Sequence, residues 1–397
     1  MSGLSKQRLN RMHDVMSGYV QRGEMPGLVT LVNRRGETHA DAIGALSFGG
    51  APMKRDTIFR VASMTKPVAA IAALILMEDG KLKLDEPVDR LLPELANRKV
   101  MRDVEGPLDD TVPAHRAITV RDLLTFRLGY GFVMTSPDAP YAKATADAGL
   151  APGPDAPTFS PDEYMKRLGS LPLAYQPGER WLYHTGSDVL GVLVARAAGQ
   201  TFDAFLQERV FGPLGMKDTG FFVPSAKIER LATQYWTNFE TGKFEVYDEP
   251  RGGRWSKPPA FASGGSGLVS TVDDFLAFSR MMLGMGKLGG TRMVSRPSVE
   301  TMITDQLTPS QKVSKGMVED YFESHGWGFG VAMATRRISP AEPVGQYGWD
   351  GGLGTSWRCD PAEDMVTILL TQRMWTSPNP PDVCVDFWTQ AYAAIED

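Results

Sequence analysis

Apolar positions at helical spacing open the chain. Leu9, Met12, Met16 and Tyr19 recur on one face of residues 5–22 and predict an amphipathic helix, which Pro26-Gly27 ends. Two strand-like runs follow, at 28–33 and 38–43, on either side of Arg35-Gly36, and predict a hairpin. A third short strand, 57–61, leads to Ser63. Residues 68–78 break both patterns, being apolar nearly all round with Ala69, Ala70, Ala72 and Ala73 among them. A helix apolar on every side is a buried one. Gly80 supplies its stop. Pro67 disfavours α geometry at Lys66, which predicts a 3₁₀-like first turn or a lost first hydrogen bond.

From 84 to about 220 the pattern is mostly helical. Thr119 with Asp122 begins a capped helix through Leu124, further helices are expected at 161–168, 187–198 and 202–210, and 132–160 reads as a long loop. Strand patterns return at 329–336, 354–359 and 365–371, and 382–395 closes the chain as a helix. Strands in the outer thirds and helices between them predict an α/β (α+β) fold. It has an antiparallel sheet assembled from both chain ends, helices on its faces and an inserted, mostly helical domain. The expected boundaries are 1–85 with 221–397 for the α/β domain and 86–220 for the helical one. No internal repeat or low-complexity tract interrupts this pattern.

Composition narrows the class. A chain of 397 residues suits about two domains. Its 47 acidic against 42 basic side chains, a formal charge of −5, oppose the basic face of a nucleic-acid binder. Cys359 and Cys384 are too few for a disulfide framework and lack metal-ligand spacing, so both are expected in the core. The first residues carry no apolar segment or small-residue cleavage site, and the longest apolar run, 68–77, is about half a membrane span. The expectation is a cytoplasmic protein with no membrane partner.

Three stretches carry candidate chemistry. In Ser63-Met64-Thr65-Lys66, a hydroxyl sits at the mouth of the buried helix with an amine one turn on. The free N–H groups and positive dipole end there favour negative charge developing near the serine. A serine in this position is ordinarily only an N-cap. A hydroxyl nucleophile needs a base. A desolvated lysine can serve, and so can a tyrosine whose phenolate an ammonium favours. Tyr183, in Pro177-Gly178-Glu179-Arg180-Trp181-Leu182-Tyr183-His184-Thr185-Gly186, is the candidate tyrosine. The third stretch, Tyr347-Gly348-Trp349-Asp350-Gly351-Gly352-Leu353-Gly354, reads as a glycine-rich turn before a strand, where backbone can come close to another group. An N–H there, with that of Ser63, could form an oxyanion hole.

Together these stretches resemble the serine β-lactamase and penicillin-binding-protein superfamily, and within it the class C β-lactamases and family VIII carboxylesterases. Ser63-Met64-Thr65-Lys66 matches the nucleophile motif. Tyr183-His184-Thr185 stands at the Tyr-x-Asn motif, with Thr185 for asparagine. Trp349-Asp350-Gly351 stands at the Lys-Thr-Gly motif. The resemblance implies a β-lactamase-like fold, catalytic Ser63, Lys66 and Tyr183, and an oxyanion hole from the N–H groups of Ser63 and Gly352. Trp349 cannot attract a substrate carboxylate as that lysine does, and family VIII esterases commonly have Trp-x-Gly here, so the expected substrate is a small neutral ester. Gly351 belongs to the same turn. Asp188 matches an acidic position of those esterases, and Tyr130 a tyrosine near their pocket. The superfamily also implies three alternatives: an acyltransferase, as in the fungal statin acyltransferases; a β-lactamase or D-aminopeptidase; and a non-catalytic binding protein.

Other constellations are weaker. No G-x-S-x-G occurs. Of the five histidines, His184 is expected at the pocket edge or surface rather than as a base, and a triad through His325 has no motif behind it. No His or Cys pair has zinc spacing, and no Walker lysine follows a glycine loop, so no metal or cofactor is expected.

Overall fold

The computed structural model describes residues 3–312 and 320–397. Helix α1, Lys6–Gln21, buries Leu9, Met12, Met16 and Tyr19 as its periodicity requires. Strands β1, Gly27–Arg34, and β2, Glu37–Gly44, pair antiparallel around Arg35 and Gly36. Both turn residues have positive φ, 51° and 81°, the backbone twist that a two-residue hairpin needs. Strands β3, His325–Trp327, β4, Ala332–Ala334, β5, Tyr347–Gly351, β6, Thr355–Asp360, and β7, Met365–Thr371, complete the main sheet. The order is β3-β4-β5-β6-β7-β1-β2, with every neighbour antiparallel. The late strands thus meet the early ones where β7 pairs with β1, Leu31 opposite Ile368. The mixed fold with an antiparallel sheet assembled from both chain ends is the expected one.

Both faces of the sheet are covered, so its central strands are apolar on both sides. Leu28, Val32 and Leu369 pack with α1 and the closing helix Asp382–Ala393. Val29, Leu31, Ile368 and Leu370 face the larger core, which contains the helix Thr65–Glu78 (α2) and Phe275 and Phe278 of Val272–Leu283. Cys359 and Cys384 are both free thiols and both buried. Among the described residues no single helix is long and apolar enough to cross a membrane.

The structure departs from the sequence pattern in several places, four of which bear on the site or its frame. Residues 347–351, expected as a turn, form β5, because β6 supplies its hydrogen bonds and Gly348 lets the two backbones close: a Cβ there would strike the Trp357 carbonyl. The loop expected at 132–160 contains a helix, Pro140–Asp147, whose proline occupies the first turn, where its missing N–H costs no bond. The strand expected at 329–336 is only Ala332–Ala334, preceded by the unforeseen β3. The helix expected at 202–210 is regular only over Phe202–Leu206 and continues as a π turn, Gln207–Phe211.

Candidate active site

Ser63 is held by a strand and a strained turn. Phe59 and Arg60 pair with Ser270 and Val269, and the chain then passes through Ala62 at φ 42°, a left-handed conformation uncommon for alanine. A 3₁₀ turn, Ala62–Met64, runs directly into α2. The helix starts at Thr65, ahead of Pro67, because the proline falls within the first turn and lacks only an N–H that would have no helical partner. Thr65 Oγ1 accepts the Leu268 N–H at 3.1 Å and ties this corner to the loop before the Thr271-capped helix. Ser63 and Lys66 are both buried.

Lys66 Nζ lies 2.8 Å from Ser63 Oγ, 2.6 Å from the Gly265 carbonyl oxygen and 3.3 Å from His184 Nδ1. It also stands 4.5 Å from the centre of the Tyr183 ring, over its face. Burial pulls its pKa down to about 7, against which the Asp188 charge pulls upward. A neutral amine within reach of the hydroxyl is therefore present at neutral pH and above.

Tyr183 is partly buried beside the nucleophile. Its oxygen accepts the Trp349 indole N–H at 2.7 Å. Burial raises its pKa above the ordinary phenol value, outweighing its hydrogen bonds with Ser63 and Trp349, which pull it down. Lys66 faces the ring rather than the oxygen, so its charge is not aimed at making a phenolate. Trp349 packs edge-on against Trp327, centroids 4.7 Å apart, and tilted against Tyr183 at 5.6 Å. Phe126, Trp181 and Phe322 extend this aromatic wall. Along β5 the side chains alternate: Asp350 leaves the site and pairs through both oxygens with Arg358, each bond 2.7 Å.

Gly351 brings the end of β5 against the nucleophile turn. A Cβ there would strike Thr355 Oγ1 and the Val61 carbonyl oxygen, and Thr355 Oγ1 itself donates to that carbonyl at 3.2 Å. Gly352 follows in an exposed turn whose carbonyl accepts the Trp375 N–H at 2.8 Å. A Cβ on Gly352 would meet nothing within 4 Å.

Asp188 is buried one turn into the helix Thr185–Ala198 (α3). Its Oδ1 accepts from Ser263 Oγ at 2.6 Å and the Gly265 N–H at 3.0 Å, while Oδ2 lies 3.1 Å from His184 Nε2. Burial raises its pKa, but His184, Ser263 and Gly265 together hold it below the usual carboxylate range. His184 is correspondingly not at the pocket edge or surface. It is buried between Lys66 and Asp188, and burial, with Lys66 adding to it, keeps its pKa below the ordinary imidazole value. The sequence signal for this was only the i, i+4 spacing of His184 and Asp188. Tyr130 is not brought to the nucleophile: its hydroxyl donates to Thr145 Oγ1 at 3.1 Å and its ring packs on Tyr141 in the helical core. His325 stacks on Tyr321, and its Nδ1 lies 2.9 Å from Ser324 Oγ. Among the described residues no group of three or more His, Cys, Asp or Glu is placed to hold a metal ion.

The Beta-lactamase family matches residues 12–387. An uncharacterised protein of Mycobacterium tuberculosis is 38% identical over 374 residues, covering 92% of this chain and 88% of the relative. Esterase EstB of Burkholderia gladioli is 31% identical over 392 residues, covering 94% and 92%. Among solved structures, EstCE1, described as a hydrolase with promiscuous acyltransferase activity, superposes with a TM-score of 0.81 at 25% identity, over 97% of this chain and 98% of its own. A family match over nearly the whole length, with a relative above 30% identity, means that the chain belongs to the Beta-lactamase family of serine hydrolases.

Proposed function

We propose that the protein is a serine carboxylesterase that hydrolyses small neutral carboxylic esters through an acyl-Ser63 intermediate. The observation that carries this reading is the 2.8 Å approach of the buried Lys66 Nζ to Ser63 Oγ, beside a Tyr183 that is hydrogen-bonded to Trp349, an uncharged side chain. Ser63 Oγ attacks the ester carbonyl while Lys66 takes its proton. The N–H groups of Ser63 and Gly352 receive the oxyanion; one such donor is typically worth about 2.7–4 kcal/mol of barrier. The Lys66 ammonium returns that proton to the departing alkoxide, which Tyr183, kept protonated by its burial, steadies with its hydroxyl. Water then attacks the acyl-enzyme by the same route, its proton passing to Lys66 and on to Ser63. Asp188 supports Lys66 through Gly265 and does not touch substrate.

A panel of p-nitrophenyl esters with one cephalosporin, run beside Ser63→Ala, tests the reading. The expected result is turnover of short esters that Ser63→Ala abolishes, with an acyl adduct on Ser63 in the intact mass. Faster turnover of the cephalosporin, or full esterase activity in Ser63→Ala, overturns it.

Acyl transfer from the same acyl-Ser63 is the second reading, favoured by the description of EstCE1 as a hydrolase with promiscuous acyltransferase activity. An added alcohol acceptor decides it. New ester formed faster than free acid makes the protein a transferase.

A further inference from the structure

We infer that His184, fixed by Asp188, is the positioning residue that aims the Lys66 lone pair at Ser63. The inference rests on the acyl-Ser63 reading.

A neutral Lys66 amine has two protons and one lone pair. The Gly265 carbonyl can only accept, so one N–H is committed to it across 2.6 Å. His184 Nδ1, at 3.3 Å, takes the second N–H if it is the unprotonated ring nitrogen. The lone pair then has one neighbour left, the Ser63 hydroxyl at 2.8 Å, whose proton it receives. What makes Nδ1 the acceptor is the other side of the ring: Nε2 lies 3.1 Å from Asp188 Oδ2 and must carry the proton to satisfy a carboxylate. Asp188 is locked in turn by Ser263 Oγ and the Gly265 N–H. One carboxylate thus holds both acceptors of the lysine, the imidazole directly and the residue Gly265 through its N–H.

The backbone at His184 is bent to allow this. His184 has φ 85° and ψ −67°, and the Thr185 N–H reaches back to the Tyr183 carbonyl at 3.3 Å, a γ-turn of the strained kind. Such a conformation costs about 1–3 kcal/mol and persists only where the surroundings impose it. It lets consecutive side chains, the Tyr183 ring and the His184 imidazole, both face Lys66. Gly265 closes the other side: a Cβ there would come within 2.8 Å of His184 Nε2. The titratable groups around the pair are Tyr183 from the same turn, Asp188 from α3, and Tyr164, which senses the Asp188 charge; the 263–267 loop contributes only hydroxyls and peptides.

Long-range proton–nitrogen NMR of the imidazoles in the full chain tests the tautomer. The His184 signals are identified among five histidines by their loss in His184→Asn. The expected spectrum at about pH 8 is a neutral ring protonated at Nε2; an Nδ1-protonated ring overturns the inference. Kinetics test the role. His184→Phe removes the acceptor and is expected to lose on the order of 100-fold in kcat/KM with KM changed less than about threefold. His184→Asn, whose carbonyl oxygen can accept the lysine N–H, is expected to recover to within about tenfold of wild type. His184→Phe within about threefold of wild type, or His184→Asn no better than His184→Phe, overturns it. Should His184→Phe not fold, the wild-type spectrum still decides. Labelling with a fluorophosphonate separates this from the parent reading: wild type unlabelled at Ser63 sinks the esterase proposal, whereas wild type and His184→Phe labelled at equal rates sinks only the role of His184.

Discussion

The Trp349 indole N–H donates to the Tyr183 oxygen across 2.7 Å, joining residues 166 apart in the chain. The bond occupies one lone pair of the phenol oxygen and leaves its proton to point into the site. Tryptophan at this position is therefore both the apolar wall where related enzymes have a lysine and the group that orients the tyrosine. Trp349→Phe keeps the wall and removes the donor. A neutral hydrogen bond is worth about 1 kcal/mol, so kcat on a p-nitrophenyl ester is expected to fall about fivefold with KM little changed. Unchanged kcat would show that Tyr183 needs no such orientation.

Burial of Lys66 predicts two pH dependences. The reactive form is the neutral amine, so kcat/KM rises with pH up to about 7 and is flat above it. Stability follows the same group with a definite sign. Between about 7 and the ordinary lysine value of about 10.4, the unfolded chain holds the Lys66 proton and the folded chain does not. Wild-type stability therefore rises with pH across that window relative to Lys66→Met, by up to about 1.4 kcal/mol per pH unit, and falls back as pH drops toward 7. Urea unfolding of both proteins at several pH values checks this; parallel curves would mean that Lys66 stays charged in the folded protein.

Much of this arrangement was legible in the chain because it is local. The periodicity of residues 5–22, the Arg35-Gly36 hairpin and the all-apolar helix behind Ser63 each record their own burial. The Ser63–Lys66 spacing and Trp349 in place of a lysine also survive as short motifs. What could not be read depends on partners far away. Strand β5 is masked by glycines whose purpose is close approach to β6 and to Val61. His184 looks like a surface histidine until Gly265, in a loop 81 positions later, closes over it. Tyr130 sits beside Gly131 and Phe132, whose backbone does touch the Tyr183 carbonyl, but its side chain turns into the helical core.

The two adjacent glycines should respond oppositely to alanine. At Gly351 an added methyl meets the Val61 carbonyl and Thr355 Oγ1, neither of which can retreat without moving the nucleophile turn or β6. Overpacking of this kind costs about 1–3 kcal/mol. Gly351→Ala is therefore expected to lower the unfolding midpoint and to lose activity on the order of 100-fold as the oxyanion donors separate. Gly352→Ala adds a methyl to open space and keeps the N–H, so it should unfold as wild type and stay within about tenfold in kcat/KM. Equal losses at both positions would remove the N–H of the 352 turn from the proposed oxyanion hole.

Arg60, three residues before Ser63, anchors the strand that delivers the nucleophile. Its guanidinium is buried, donates through Nε to Asp248 Oδ2 at 2.9 Å and through Nη1 to the Ala232 carbonyl at 2.6 Å, while Nη2 also pairs with Asp248. Asp248 is equally buried and receives the Arg254 N–H at 2.6 Å. Taking away one partner leaves a charge in a dry interior, which costs about 3–5 kcal/mol. Arg60→Met is expected to lose that much in urea unfolding. Removing Asp248 as well, in Arg60→Met with Asp248→Leu, should restore part of it, since no charge is then stranded. The exposed pair Arg55–Asp273, with about half of each side chain in solvent, is the control: Arg55→Met should change stability by less than about 1 kcal/mol. Ser63 labelling in Arg60→Met should slow in step with the loss of the strand, because Val61, next in the chain, supplies the carbonyl on which Thr355 is fixed. A destabilised Arg60→Met that is labelled at the wild-type rate would separate the anchor from the nucleophile.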